Sequence, residues 1–483
     1  MSNEQSVSAG GVGSSASITS TADIGARLDR LPASRFSYLL LLLLMPAWIV
    51  ESYDIGIIGA TIAIIKPLWH PSASQLGLLG IASTVAIVLG LIPSGMLVDT
   101  FGRRKVFLGG LVWFSVFTAL TALAPNIEFL TAGRFFAGLG LGAVFPLPYV
   151  FLTEFMAPEF RAKFIGYLNG LLTTAYVVPP LTAVYVLANF TPEIAWRLLY
   201  AVALVQLAYA FVLYLWLPES PRWLATQGRT DEALAIVSRI EAQVTKPGWK
   251  PGTESVAPTR ATADTVKGNW RDVLRRPLVS RTATVCLAFF GTLPVFYVLL
   301  TFAPTLMAEH GLRLARSLEF VAALQLAGGI GGLIQGFLAD KWGRRPLIIG
   351  YGLMTVAGLI TLAFSDSIEL LLGASLVVGF FGLGIFPVTK LYVAEQFPTS
   401  IRGSGTAVTE AFGRFFGGVV FVYLVPSIVD IGGVKLVVGI VAALLFFATV
   451  FPVAVFGRET RAASKDEVRA RSVPKYHGKE KQA

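Results

Sequence analysis

Long apolar stretches separated by short polar segments recur along the whole chain. Each stretch runs for roughly 20 residues or more with few charges, the length that an α-helix needs to cross the hydrocarbon core of a membrane. The pattern predicts an all-α polytopic membrane protein with twelve transmembrane helices. The predicted spans are 37–65, 75–98, 105–124, 127–153, 164–188, 197–217, 281–308, 318–339, 346–364, 367–394, 404–429 and 432–456.

Polar segments divide these spans into two halves. Residues 37–217 form a predicted N-terminal bundle of six helices, and residues 281–456 a C-terminal bundle of six. The one long polar connection, residues 218–280, combines the periodicity of short amphipathic helices with a Pro- and Gly-rich linker. Residues 1–36 are rich in Ser, Gly and Ala and predict a disordered tail rather than a signal peptide, and residues 457–483 form a second polar tail.

The charges predict the orientation in the membrane. Only 14% of residues are charged, against roughly 25% in soluble domains. Most of the 39 lysines and arginines lie in segments that share one side with the termini. The exceptions at the opposite ends of spans are Lys66, Arg197, Arg313, Arg316 and Lys435. We therefore expect both termini to be cytoplasmic, in a plasma membrane and typically a bacterial inner membrane, and interpret the net charge of +10 as a topology signal rather than a nucleic-acid footprint.

Composition excludes several kinds of site. A single cysteine, Cys286, allows no intrachain disulfide and no thiolate metal cluster. The three histidines, at positions 70, 310 and 477, lie outside the predicted spans, which excludes an intramembrane histidine site. No nucleophile and base pair or metal-ligand set stands out, so an enzyme is disfavoured. We expect no metal and no cofactor, and a monomer surrounded by lipid.

The two halves share an internal repeat. A motif of acid, glycines and arginines in the first half recurs in the second half 241 residues later, and so does a Glu and Arg pair further on. One separation that holds at several places indicates duplicated bundles. The residues are Gly95, Asp99, Gly102, Arg103, Arg104, Glu154 and Arg161, with their counterparts Gly336, Asp340, Gly343, Arg344, Arg345, Glu395 and Arg402.

These motifs resemble those of the major facilitator superfamily, whose signature G-x-L-x-D-x-x-G-R-R joins helices two and three. The Glu and Arg pairs, and residues 217–224 with the sequence LPESPRWL, are similar to motifs of its sugar porter branch. The resemblance covers nearly all of residues 37–460 and implies two bundles that rock around a central site. It also implies a cytoplasmic gate of interhalf ion pairs, in which Arg103 and Arg104 bridge to acids such as Glu154 or Glu395. The alternative is that the arginines only anchor topology, and Thr100 stands where the family often has a basic residue.

Acidic residues inside a predicted span are candidates for function, because a charge at mid-bilayer costs roughly 2.5–3.5 kcal/mol. Glu51 and Asp54 lie in span one at i, i+3 spacing, on one face, with Tyr53 beside them. Glu51-Ser-Tyr53-Asp54 resembles the D-G-Y-D motif of aromatic acid/proton symporters, and implies that both acids carry protons. Arg134, in span four, is the expected partner of Asp54 or Glu51. The alternatives are a purely structural acid pair and an arginine that extends to the interface.

Two further charges suggest the substrate. Lys390 occupies the place of the tryptophan in the sugar porter pattern W-x-Y-x-x-E, which favours an anion over a neutral sugar. Arg414 resembles the arginine of organic anion carriers at this place, although Glu410 at i, i+4 spacing predicts a simple ion pair instead. A guanidinium can bind a carboxylate through two hydrogen bonds. The other candidate substrate contacts are Tyr53, Tyr149, Tyr297 and Phe302, with Phe145 and Phe296 as further cavity residues. Residues 297–305 resemble the broken helix seven of sugar porters.

The sequence thus predicts a secondary active transporter that imports a small organic anion, an aromatic or other carboxylic acid, with protons. Proton-coupled uptake of a sugar or polyol is the alternative, and the sequence does not exclude uniport. Drug/proton antiport is disfavoured because span five lacks the antiporter glycine motif. A non-transporting sensor is disfavoured because no signalling domain follows the last span.

Overall fold

We describe a computed structural model of the protein over residues 21–244, 273, 278–309, 313–365, 367–397 and 401–460. All regular structure in these ranges is helical. Most of the long helices are apolar on every side rather than along one stripe, as expected of helices that pack in lipid. The predicted fold class is confirmed.

The N-terminal half contains twelve helices, of which the first and the last two do not belong to the bundle. They are α1 (Thr21–Asp29), α2 (Arg35–Trp69), α3 (Ala73–Phe101), α4 (Arg103–Thr121), α5 (Ile127–Val144), α6 (Leu147–Phe155), α7 (Pro158–Ala175), α8 (Val178–Asn189), α9 (Pro192–Ala201), α10 (Ala203–Trp216), α11 (Pro221–Thr226) and α12 (Thr230–Glu241).

The C-terminal half begins at Val279 and includes three π-helical segments. Its α-helices are α13 (Val279–Thr301), α14 (Ala303–Glu309), α15 (Leu314–Trp342), α16 (Arg344–Phe364), α17 (Ile368–Val377), α18 (Ile385–Glu395), α19 (Arg402–Gly413), α20 (Phe421–Leu444) and α21 (Phe451–Phe456). The π-helical segments are Val378–Leu383, Arg414–Val420 and Leu445–Val450.

These helices make up the twelve predicted spans. Ten helical runs within the described ranges are long and apolar enough to cross a membrane. One run, Ser404–Phe456, holds two spans, because Gly433 has a φ of +68° and turns the chain. Together, α7 and the shorter apolar α8 supply the remaining span.

Breaks inside spans have identifiable causes. α5 and α6 meet at Pro146, which lacks the N–H that would continue the helix. α13 and α14 meet at Phe302, and Pro304 stands in the first turn of α14. The predicted break in helix seven is therefore confirmed. It leaves the carbonyls of Leu300 and Thr301 facing Gly59 of α2.

The N-terminal segment differs from expectation. The sequence predicted disorder over residues 1–36, whereas residues 21–29 form α1; residues 1–20 lie outside the described ranges. Ile24, Leu28 and Leu31 recur at helical spacing and are buried against the apolar core of this half. The prediction of disorder was wrong for residues 21–29. The Ser- and Gly-rich composition of the segment outweighed the short apolar stripe formed by Ile24, Leu28 and Leu31.

Charges complete the docking of α1 on α11 and α12. Arg27 Nη2 lies 2.5 Å from Glu241 Oε2, and this hydrogen bond raises the pKa of Arg27 above its already high ordinary value. Asp29 bridges Arg161 at 2.9 Å and Arg222 at 2.7 Å. We call the face that carries α1, α11, α12 and the end of α21 the tail face, and the opposite face the far face.

The two halves are packed together at the far face. α2 contacts α13 and α14, α3 contacts α20, and α8 contacts α15. Gly59 faces backbone carbonyls of α13, and Gly77 faces the backbone and ring of Tyr423. Because glycine has no side chain, these two positions let helices of opposite halves approach closely. The far face is therefore closed.

Candidate functional site

A cavity of about 360 Å³ lies between the two halves. Aromatic residues are the largest group in its lining, three charged side chains, Glu51, Lys390 and Arg414, also line it, and Gln325 adds an amide. Flat apolar walls with a few charged groups are typical of a small-molecule site. The aromatic residues are Trp48, Phe145, Tyr149, Tyr176, Phe296, Tyr297 and Phe386. A second cavity of about 60 Å³, inside the C-terminal half, is lined almost entirely by aliphatic side chains and offers no charge.

Several of the lining residues had no signal in the sequence. Trp48, Tyr176 and Phe386 were not predicted, since aromatic residues are spread through every span. In the structure they surround the predicted contacts: Trp48 packs edge-on against Tyr149 at 5.0 Å, and Phe296 stacks on Phe386 at 5.1 Å between ring centroids. The rings form a slot suited to a flat ligand.

Two cations on the C-terminal side of the cavity share one carboxylate. Lys390 Nζ lies 3.3 Å from Glu410 Oε1, and Arg414 Nε lies 3.7 Å from Glu410 Oε2. Arg414 also donates to the hydroxyl of Tyr297 at 3.0 Å. The expected i, i+4 ion pair is present, and Lys390 joins it. Glu410 thus balances one of the two cations, and Glu51 is the second acid beside the cavity.

Glu51 and Asp54 were predicted to act together, but the structure gives them different surroundings. Both are buried in α2, with 6% and 2% of their surface exposed. Glu51 lines the cavity, whereas Asp54 points away from it toward α5, where its Oδ2 lies 2.5 Å from Nη2 of Arg134. Arg134 therefore pairs with Asp54, the first of its two predicted partners.

Arg134 is completely buried, so the alternative in which it extends to the membrane interface is wrong. Its Nη2 donates to Asp54 and, at 2.8 Å, to the hydroxyl of Ser83, and its guanidinium lies 5.6 Å from the ring of Tyr200. Asp54 Oδ1 and Arg134 Nε and Nη1 have no hydrogen-bond partner within the described ranges. The two side chains are thus joined through Arg134 Nη2 and Asp54 Oδ2, and their other polar atoms can take new partners.

Two predicted substrate contacts do not reach the cavity. Tyr53 donates its hydroxyl to the carbonyl of Leu199 at 3.0 Å, inside the N-terminal half. Phe302 lies at the break between α13 and α14, where its ring faces Gly80. The structure therefore places Tyr53 in the core and Phe302 in the far-face closure.

The repeated motif in the N-terminal half ties the turn between α3 and α4 to neighbouring helices. Arg103 donates to Glu154 at 2.9 Å and lies 3.3 Å from Asp99. Glu219 accepts hydrogen bonds from the backbone N–H groups of Arg103 at 2.9 Å and Arg104 at 3.1 Å. These groups begin α4, where unpaired N–H groups and the helix dipole favour a carboxylate.

The C-terminal half repeats this arrangement. Arg344 donates to Glu395 at 3.1 Å, and Glu459 accepts from the backbone N–H groups of Arg344 at 2.9 Å and Arg345 at 3.0 Å. Glu459 is the counterpart of Glu219, and sequence reasoning missed it. The two acids are 240 residues apart rather than 241, so a search at fixed separation aligns Glu219 with a threonine.

Motif glycines have two different surroundings. Gly102 and Gly343 have φ values of +95° and +96°, which favour glycine, and a Cβ at either would collide with Glu219 or Glu459. Gly95 and Gly336 face open space, and nothing in the structure explains why they are glycines.

The other motif residues do not join the halves. Arg161 donates to Asp29, and Arg104 donates to the backbone carbonyl of Tyr214. The side chains of Asp340 and Arg402 lie outside what the structure describes. Every ion pair found at the tail face in the described ranges lies within one half. Interhalf bridges at this face stay a prediction for another conformation.

Comparisons with known proteins agree with this architecture. Residues 41–470 match the sequence profile of a family described as "Sugar (and other) transporter". A niacin transporter of Acinetobacter baylyi is 26% identical over 446 residues, covering 92% of this chain and 99% of that protein. A 4-hydroxybenzoate transporter of Pseudomonas putida is 26% identical over 409 residues, covering 83% and 88%. Polyol transporter 5 of Arabidopsis thaliana is 27% identical over 439 residues, covering 84% and 81%. Among solved structures, the inward-open xylose transporter of Escherichia coli has a TM-score of 0.69 at 18% identity, covering 90% of this chain and 99% of that one.

Proposed function

The chain belongs to the sugar (and other) transporter family of the major facilitator superfamily, and we propose that it imports a small aromatic carboxylate together with protons. The observation that carries the proposal is the pair of cations, Lys390 and Arg414, that share a single acid beside a cavity walled by aromatic rings. We further propose that it works as a monomer in a bacterial inner membrane with both termini in the cytoplasm.

The cation pair accounts for an anionic substrate. Glu410 balances one of the two positive charges, and when Glu51 carries a proton a substrate carboxylate supplies the second negative charge. Arg414, already oriented by Tyr297, can offer its remaining N–H groups to both carboxylate oxygens. The stacked pair of Phe296 and Phe386 then lies against an aromatic ring. Relatives named for niacin and for 4-hydroxybenzoate both carry substrates of this kind.

The buried pair of Asp54 and Arg134 accounts for proton coupling. Protonation of Asp54 removes the charge that holds Arg134 and leaves a guanidinium without a counter-ion. The guanidinium then has to find other acceptors, which couples proton binding to a rearrangement of α2 against α5. Glu51, in the same helix and facing the cavity, is the second predicted proton site.

The different states of the far face and the tail face support alternating access. The far face is closed by α2, α3 and α8 against the C-terminal half. At the tail face, Arg103 and Arg344 each pair with an acid of their own half. We propose that opening of the far face brings Arg103 and Glu154 of one half close to Arg344 and Glu395 of the other half. Ion pairs between the halves would then close the tail face.

A neutral sugar or polyol is the second candidate substrate. Its support is the polyol transporter relative and the fold shared with a xylose transporter. Against it, Lys390 and Arg414 present cations where a neutral ligand offers no charge to balance them. The presence of Lys390 in the cavity favours the acid.

Uptake into proteoliposomes tests the proposal. The purified protein is reconstituted, a pH gradient is imposed with the acidic side outside, and labelled benzoate, pyridine-3-carboxylate, 4-hydroxybenzoate, xylose and sorbitol are compared. We expect accumulation of aromatic acids that collapses when the gradient is removed. Accumulation of xylose or sorbitol without any acid would overturn the substrate, and equal acid uptake without a gradient would overturn the coupling.

A further inference from the structure

We propose that the N-terminal half binds a membrane phospholipid with an anionic headgroup. Its phosphate lies at Lys105, and one of its acyl chains fills a groove on the outside of α3, α4 and α5. We call this surface the α3–α5 groove. It is separate from the cavity between the halves, and its ligand does not depend on the proposed substrate.

The α3–α5 groove has a volume of about 390 Å³. Leu97 and Phe101 at the end of α3 form one wall, and Trp113 of α4 forms part of the other. All three side chains are exposed. Because α3 and α4 are long and apolar enough to cross a membrane, the groove opens toward lipid. Its floor contains the glycines Gly109, Gly110 and Gly140.

Fixed neighbours give the groove its shape. Trp113 donates its indole N–H to the backbone carbonyl of Phe136 at 2.9 Å, which orients the ring. A Cβ at Gly140 would lie 2.6 Å from this ring, so glycine there lets Trp113 pack against α5. A Cβ at Gly109 would meet nothing within 4 Å. Gly109 therefore borders space that a hydrocarbon chain can occupy.

Lys105 places a positive charge at the tail-face end of the groove. It is exposed and lies in the first turn of α4, after Arg103 and Arg104, whose backbone N–H groups bind Glu219. Asp99, at the end of α3, lies 3.3 Å from Arg103. Among the residues that the structure describes, no ion pair of Lys105 is found. A lysine at the membrane surface attracts anionic headgroups.

The groove has the length of an acyl chain in one leaflet. Lys105 and Trp113 are eight residues apart on α4, which is about 12 Å along the helix axis. One leaflet of the hydrocarbon core is about 15 Å thick. A phosphate at Lys105 thus places the chain beneath it along Gly109 and against the ring of Trp113. A lysine that only anchors topology needs no groove beneath it.

The internal repeat provides a comparison within the same chain. The residues 241 positions later are Pro346 for Lys105, Tyr351 for Gly110 and Phe381 for Gly140. The rings of Tyr351 and Phe381 pack edge-on, with 5.0 Å between their centroids. The C-terminal half therefore carries bulky rings at two positions that form the floor of the groove, and a proline in place of its lysine. The site is a feature of the N-terminal half and not of the duplicated bundle.

The test is native mass spectrometry of the detergent-purified full chain. It is titrated with dioleoylphosphatidylglycerol or with dioleoylphosphatidylcholine, which have the same acyl chains. For the first bound lipid, we expect an apparent Kd about fivefold lower for phosphatidylglycerol. Lys105→Gln should bring the two constants together. Gly109→Leu fills the groove and should raise both constants by a similar factor.

The C-terminal half offers matched controls. Lys341→Gln removes an exposed lysine from the last turn of α15. Gly350→Leu adds the same side chain to open space at the position equivalent to Gly109. Both variants should leave the two constants unchanged. Inorganic phosphate, which has no acyl chain, should not displace phosphatidylglycerol.

Several results would overturn the proposal. Equal constants for the two lipids in the wild type would do so, and so would a preference that persists in Lys105→Gln. An equal loss of binding in Gly350→Leu and Gly109→Leu would show that no defined groove is involved, and displacement by phosphate would indicate an ion site. Should Gly109→Leu not fold, Phe101→Ala removes part of an exposed wall and should weaken both lipids, and unchanged constants would contradict the proposal.

Discussion

Asp54→Asn is expected to destabilise the protein strongly through its effect on Arg134. The substitution keeps the size of the side chain but removes the carboxylate that pairs with Arg134, whose guanidinium has no exposed surface. Breaking a buried ion pair by removing one partner costs about 3–5 kcal/mol. Ser83, at 2.8 Å, still accepts from Arg134 and partly solvates it, so we expect the lower end, about 3 kcal/mol.

A double-mutant cycle isolates this energy. Arg134→Gln leaves Asp54 as the uncompensated charge and is expected to cost a similar amount, whereas the double variant removes both charges and should recover most of the loss. The exposed pair of Arg229 and Glu232, only 2.6 Å apart, is the matched control. Because that pair lies in solvent, Glu232→Gln should leave stability unchanged.

Thermal unfolding of the purified variants in detergent gives the four corners of the cycle. Strong destabilisation in each single variant and partial recovery in the double variant support a tightly coupled buried pair. Additive losses, or single variants as stable as the control, would refute the reasoning from burial and charge.

Three further changes test other parts of the account. Lys390→Gln should raise the half-saturation concentration for aromatic acids about tenfold, since a charge-assisted contact is lost; an unaltered value would count against the cation site. Gly59→Val should hinder far-face closure, because the added side chain meets a backbone carbonyl of α13, whereas Gly373→Val adds it to open space; labelling of an engineered far-face cysteine should rise only in the first variant. The pKa of Arg27 is raised by its bond to Glu241, so the stabilisation of α1 is present at lower pH and is lost only as pH rises through that high pKa. Protease cleavage near α1 should therefore stay constant from about pH 6 to pH 10 and increase in Glu241→Gln, and release of α1 near pH 9 would contradict this.

Much of the fold was predictable from the sequence because lipid imposes a simple rule on span length. The twelve spans follow from apolar runs, and the repeat identifies equivalent residues, so that Arg103 with Glu154 and Arg344 with Glu395 form matching pairs. α1 escaped prediction because three apolar residues in a Ser-rich segment are a weak signal without the surface that buries them.

The site was less predictable, for geometric reasons. An i, i+3 spacing placed Glu51 and Asp54 on one face of α2. Residues three apart still differ by about 60° around the helix axis, and this difference directs the two side chains to different neighbours. Only the packed neighbours decide that one faces the cavity and the other Arg134. Glu459 was hidden by a single-residue shift in the repeat, although its role at the start of α16 matches that of Glu219.

The central claim, uptake of an aromatic acid with protons, is tested most directly by following internal pH in proteoliposomes loaded with a pH-sensitive dye and held without any imposed gradient. The acid is added outside at neutral pH, where it is ionised, and protein-free liposomes correct for passive entry of the neutral form. The account predicts protein-dependent acidification with benzoate or a pyridine carboxylate, none with xylose, and loss of the signal in Asp54→Asn. Labelled acid that enters without acidification, or acidification that persists in Asp54→Asn, would contradict it.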